Sequence, residues 1–206
     1  MKPFSPFARY HKGFQREILH APPGNRTGIT GFFRKSCAWT EADSSEWRRL
    51  QKQRLNILFE TLKNSKSEQQ AKFAAAQIWV LWYKSGDVDI DVLMRQARHN
   101  LEVGHHGEAI KLVDQALKRA PKYSEAWNLR ATILFYMGRH DEAVADIERT
   151  LALEPRHFGA LSGLTTINMK RRNWSGAAKA LRAGLSIHPF MRQRKFLSKL
   201  EDLALG

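Results

Sequence analysis

Three cations, one amide and three hydroxyls are the side chains of this sequence best suited to grip a ligand: Arg95, Arg98 and Lys170, Asn128, and Thr132, Ser162 and Thr166. Guanidinium and ammonium groups pair with carboxylates, and a primary amide can bond a peptide main chain. Small hydroxyl residues leave room for a ligand backbone. Such a set binds and does not by itself make or break bonds. The reactive side chains are poorer in pattern. His105, His106 and His140 stand near expected turns without Cys or paired carboxylates at ligand spacing, so they read as surface histidines and no metal is expected. Gly24, Gly28 and Gly31 lack the Gly-Lys-Ser/Thr that ends a phosphate loop. Cys37 is the single cysteine and has no evident base beside it, which excludes a disulfide framework. No Ser/His/Asp arrangement emerges, so neither a catalytic residue nor a cofactor is expected. Asn25-Arg26-Thr27 matches a glycosylation sequon without a secretory signal to support its use.

The elements that place the seven residues are periodic. Pro121, Pro155 and Pro189 are each 34 residues from the next, and Ala109, Ala143 and Ala177 keep the same interval, as do Leu117, Leu151 and Leu185. Gly104 and Gly138 form a shorter series, which Arg172 breaks. A fixed period of this length is the mark of a helical repeat array. In such an array alanines let paired helices approach closely, glycines end the first helix in the left-handed conformation, and prolines stop the second.

Around the array the chain divides as follows. Residues 1–42 read as a flexible basic segment; residues 1–40 carry seven Lys/Arg against Glu17 alone, with no helical period. It is a disordered tail, an over-extended start or a transit peptide, and the last would imply a mitochondrial address in place of a cytoplasmic one. Residues 43–87 read as a leading helix pair, a degenerate repeat with Ala75 in phase with Ala109. Its first helix carries a stripe of Trp47, Leu50, Arg54, Ile57 and Leu58, followed by Leu62. Its second opens on a Ser67/Gln70 capping box, carries Phe73, Ala76, Ile78, Trp79, Leu81 and Trp82, and closes on Gly86 as the C′ residue. Residues 88–189 hold three units, at about 90–121, 124–155 and 158–189. Residues 190–206 form a capping helix that turns Phe196, Leu200 and Leu203 to one face. No apolar run is long enough for a transmembrane helix.

These units resemble the tetratricopeptide repeat (TPR). The middle one matches best, with Trp127, Ala131, Leu134, Gly138, Ala143, Ile147 and Pro155. The first retains Leu93, Ala97, Gly104, Ala109, Val113, Ala116 and Pro121. The third retains Leu161, Ala177, Leu181 and Pro189, but has Thr165 and Arg172 where a small residue and glycine are usual. The runs IWVLWYKSGD, YSEAWNLRATILFYMGRHDEA and ADIERTLALEPRHFGALSGL are similar to an uncharacterised bacterial TPR family, over about residues 55–190. Its members usually carry an export signal, which Met1 to His20 does not show. The resemblance implies an all-α, right-handed solenoid of about three to four helix pairs with a C-terminal capping helix.

In that architecture first helices line a concave groove, which is what brings Arg95, Arg98, Asn128, Thr132, Ser162, Thr166 and Lys170 together. Chaperone-binding members of the family hold a C-terminal carboxylate with lysines and asparagines. The corresponding positions here are Met94, Arg98, Leu129, Gly159 and Gly163, of which only Arg98 could serve, so that sub-function is disfavoured. The expected function is a non-enzymatic protein-binding module, a scaffold or assembly factor, gripping a peptide or helix. The net charge of +14 favours acidic partners, and nucleic acid through an outward basic surface at Lys111, Lys179 and Arg182 is the second reading.

Overall fold

A computed structural model describes residues 41–205. The expectations placed on residues 1–40, including those for Cys37 and the sequon, lie outside the described residues. The rest is all-α among the described residues: α1 (Glu41–Lys63), α2 (Glu68–Trp82), α3 (Val88–Glu102), α4 (His106–Arg119), α5 (Ser124–Tyr136), α6 (His140–Leu153), α7 (Phe158–Lys170), α8 (Trp174–Ile187), a 3-10 turn (Arg192–Phe196) and α9 (Leu197–Leu205). None of these helices is long and apolar enough to cross a membrane.

The three units α3–α4, α5–α6 and α7–α8 are built by the same local rules. Each first helix ends in a Schellman turn. The third residue after the helix returns a hydrogen bond, His105 N to Asn100 O, Arg139 N to Leu134 O and Asn173 N to Asn168 O, at 2.8–2.9 Å. That turn needs a left-handed residue, and Gly104 (φ 86°) and Gly138 (φ 78°) provide it. Arg172 takes the same conformation at φ 57°, so the third turn keeps its shape with an L side chain under strain. Each second helix ends two residues before a proline. The capping residues Ala120, Glu154 and His188 leave the helical region for ψ of 71°, 93° and 86°, as the clash with a following proline ring requires.

Between paired helices Ala97, Ala109, Ala143 and Ala177 are fully buried. Thr165, where a smaller residue was expected, is buried too and gives its hydroxyl proton to Leu161 O at 2.8 Å. Across the first two units Arg130 binds Asp146 through two bonds of 2.7 Å and reaches Asp114 at 3.1 Å, with its guanidinium 4.6 Å from the Trp127 ring. This ties α4, α5 and α6 together. The last helix seats Leu200 on Ala177, Ala178 and Leu181.

Four expectations need correction. The buried stripe of α1 is Leu55, Phe59 and Leu62, whereas Leu50 and Ile57 face outward, Ile57 being 68 % exposed. In α2 Phe73 is 67 % exposed, and the buried set is Ala71, Ala74, Ala75, Ile78 and Trp82. Gly86 is not the C′ residue: α2 caps at Tyr83, and Gly86 (φ 91°) lies three residues on, where a Cβ would stand 2.9 Å from Trp47 Cζ3. The C-terminal segment begins as a 3-10 turn, and Leu203 is exposed rather than on the packed face.

The leading pair holds Ala75 buried, in phase with the later alanines. The core of the first unit contains no residue of this pair. Leu55, Phe59, Ile78 and Trp82 instead share one core with Phe158 and Met191 of the far end. The physical reason is the two indoles at 79 and 82. They find flat aromatic partners at His157 and Phe158.

Candidate functional site

The seven groove residues stand on first helices α3, α5 and α7, but the structure treats them unequally. Arg95 and Lys170 are exposed. Lys170 extends its Nζ to 5.1 Å from the Phe135 ring. Arg98 is buried, only 8 % exposed, with its guanidinium 4.3 Å above the ring of Tyr83. Asn128 and Thr132 are buried as well. Thr132 donates to Asn128 O, and Asn128 Nδ2 donates to Glu125 Oε2 at 2.9 Å. Ser162 and Thr166 are engaged by Gln193 of the 3-10 turn. Ser162 Oγ donates to Gln193 Oε1 at 2.7 Å, and Gln193 Nε2 donates to Thr166 Oγ1 at 3.1 Å.

The centre of the site is a buried acid–imidazole pair that the sequence pattern did not flag. His157 caps α7, and its Nδ1 accepts from Ala160 N at 3.1 Å. The ring proton therefore sits on Nε2, which donates to Glu125 Oε2 at 3.2 Å. Glu125 thus joins the Asn128 amide of α5 to the first turn of α7. The pair fixes the mutual register of two first helices and presents the flat face of the imidazole outward.

On that face lies α2. Trp82 stacks on His157 at 4.0 Å with an interplanar angle of 6°. Trp79 meets His157 and Phe158 edge-on at 5.5 and 5.6 Å. Gly159 makes room for it: a Cβ there would stand 2.6 Å from Trp79 Cη2. Tyr123 Oη donates to Trp82 O at 2.8 Å. Burial, helped by the nearby Glu125 charge, pushes the Tyr83 hydroxyl well above the usual tyrosine range. At the rim Arg156 covers the Phe59 ring at 4.1 Å and reaches Asn56 of α1 at 2.8 Å. The tryptophans were legible in the sequence as apolar positions; what they pack against was not, because the partner lies 75 residues or more away along the chain.

Comparison with known proteins agrees with this architecture. Two tetratricopeptide repeat models match, over residues 94–135 and 124–157. A TPR repeat-containing protein of Rhizobium etli is 39 % identical over 138 residues, which is 67 % of this chain and 68 % of that one. The chain belongs to the tetratricopeptide repeat family. A TPR and J domain-containing co-chaperone of Fusarium oxysporum is 32 % identical over 94 residues, but these are 46 % of this chain and 18 % of that protein. Among solved structures, the first TPR of Spaghetti (RPAP3) bound to HSP90 peptide SRMEEVD has a TM-score of 0.54 at 19 % identity, covering 57 % of this chain and 94 % of that one. The Sgt2 TPR domain from Aspergillus fumigatus has a TM-score of 0.51 at 22 % identity, covering 55 % and 78 %.

Proposed function

We propose that this protein is a non-enzymatic protein-binding module, a scaffold or assembly factor, that grips a peptide or helix on the concave side of its first helices. The observation that carries the reading is the treatment of that face. It already receives a helix, α2, through a stacked imidazole, a guanidinium over an aromatic ring and a hydroxyl bonded to a main-chain carbonyl. These are the contacts by which a rigid surface recognises a helical segment. Arg95 and Lys170 stand exposed on the same helices and suit an acidic partner.

The solved RPAP3 domain carries an HSP90 peptide, but a carboxylate clamp of that kind is not proposed here. Met94, Leu129 and Gly163 are buried, Arg98 lies over the Tyr83 ring, and Gly159 faces Trp79. Nucleic-acid association through outward cations is the competing reading. Lys111 and Arg182, two of the three residues it relies on, are held in surface ion pairs with Glu108 and Glu201.

The test is charge reversal on the two sides. Arg95→Glu with Lys170→Glu should weaken capture of a native partner, and Lys179→Glu should not. A salt-dependent RNA-binding assay runs beside it. Normal capture by the double variant, together with steeply salt-dependent RNA binding lost in Lys179→Glu, would give the surface reading the better claim.

A further inference from the structure

We propose that the α1–α2 hairpin is an exchangeable internal occupant of an aromatic-helix recognition cradle, and that an outside helix of the same pattern with a carboxylate near its end competes for it. The cradle is formed by Arg98, Tyr123, His157, Phe158 and Gly159. This rests on the concave side being the recognition face, and it adds the ligand's chemistry and the device that controls access.

Three observations carry it. The first is the read pattern. The cradle accepts an aromatic residue against Gly159, a second three positions later on His157, and a third beneath Arg98; Trp79, Trp82 and Tyr83 supply these now. One face of one helix does this, so the same surface suits any helix carrying aromatics at i, i+3 and i+4.

The second is that the present occupant fits incompletely. Arg98 Nη1 and Trp82 Nε1 are both buried at this seam with no hydrogen-bond partner among the described residues. Buried donors without acceptors are costly and uncommon in a finished interface. The buried Glu125 does not supply them; its Oε2 takes the bonds from Asn128 and His157. A ligand with a carboxylate in place of Tyr83 would offer an acceptor to Arg98 that the chain's own helix lacks.

The third is connectivity. Only residues 83–87 join α2 to α3, and the hairpin's core is shared with the far end and not with the first unit. Gly86 takes a left-handed φ in that link. The hairpin can therefore lift as one piece: the cores of the first two units contain none of its residues, and the third unit gives up its contacts at Phe158, Leu185 and Ile187 while keeping the cluster around Ala177 and Leu181.

The experiment uses the full chain and a labelled synthetic peptide of residues 68–84. A ligand that needs the opened state is weakened by the fraction of molecules that are open. Trp82→Ala loosens the internal helix and leaves the cradle intact. The peptide should bind this variant at least ten-fold more tightly than the parent protein. Adding Gly159→Val, which fills the space used by Trp79, should abolish that binding. A peptide carrying Tyr83→Glu should bind Trp82→Ala more tightly than the native peptide, and the gain should vanish when Arg98→Met is added. Equal binding to parent and Trp82→Ala, or binding that survives Gly159→Val, overturns the proposal. Should Trp82→Ala fail to fold, hydrogen exchange on the unaltered protein decides. Amides of α1 and α2 should exchange through an opening that leaves α3–α8 protected; exchange of all helices at one common rate refutes it. Binding of an outside partner that depends on Arg95 and Lys170, beside a cradle that refuses the peptide, would sink this inference and leave the proposed function standing.

Discussion

Charge reversal at Arg95 and at Arg98, one turn apart on α3, should have opposite consequences. Arg95 is exposed, and Arg95→Glu should change stability by no more than about 0.5 kcal/mol. Arg98 is 8 % exposed and lies 4.3 Å over Tyr83. Arg98→Glu removes a cation–π contact worth about 0.5–2 kcal/mol where desolvated. It also places a carboxylate in a region where Glu125 is already buried at 1 % exposure. An uncompensated buried charge costs about 3–5 kcal/mol. The full sum is not reached, because the hairpin can lift and let water in. We expect a loss of about 3 kcal/mol, which for a chain of this length lowers Tm by roughly 6–12 °C. Thermal melts followed by far-UV circular dichroism measure it, and hydrogen exchange should place the first loss in α1 and α2. Melts of the two variants that coincide within about 2 °C would refute the seating of Arg98 over Tyr83. The sequence expectation, which places both arginines together in the binding groove, would then be the better one.

Other outcomes follow from single residues. Ala143→Asp should cost about 3 kcal/mol or more by forcing a charge into a fully buried helix contact, whereas Glu142→Ala, in an exposed pair with Arg139, should leave the urea midpoint almost unmoved. Arg172→Gly should raise stability by about 1 kcal/mol, since φ 57° strains an L residue and suits glycine; an unchanged or lower Tm would contradict the strain. Burial, with Arg194 nearby, pushes His188 down to about 4, below the usual imidazole value near 6.5. The folded state therefore favours the neutral ring. Its contribution is whole above about pH 6.5 and is lost as pH falls toward 4, where the loss is about 3 kcal/mol. His188→Gln should flatten that part of the stability curve, and parallel curves for parent and variant would exclude the imidazole as the cause.

Legibility in the sequence divides along local and long-range physics. The helix pairs, the two glycine turns and the pre-proline caps follow from residues within a few positions of one another, and they were readable from the 34-residue period. Ser67 capping was readable on the same ground: its side chain accepts from Gln70 N at 3.2 Å. The faces of α1 and α2 were misread because both helices are apolar on more than one side, so period alone could not choose between Ile57 and Leu55 or between Phe73 and Ala74. The placement of the hairpin was hidden for a stronger reason. Tetratricopeptide repeats predict stacking of neighbours in sequence, and this pair departs from it through contacts between Trp79, Trp82 and residues 157–159. The pairing of Glu125 with His157 was hidden too, since a lone histidine after a proline turn carries no local signal.

The central claim is that partners meet the concave side of the first helices. Photo-crosslinking tests it most directly, with a photoreactive residue placed singly at exposed position 95 on the first helix α3 and at exposed position 179 on the second helix α8, in the full chain in its native cell. The account predicts discrete protein adducts from position 95, reduced by excess 68–84 peptide carrying Tyr83→Glu, and none from position 179. Adducts confined to position 179, protein or nucleic acid, with position 95 silent, would contradict it.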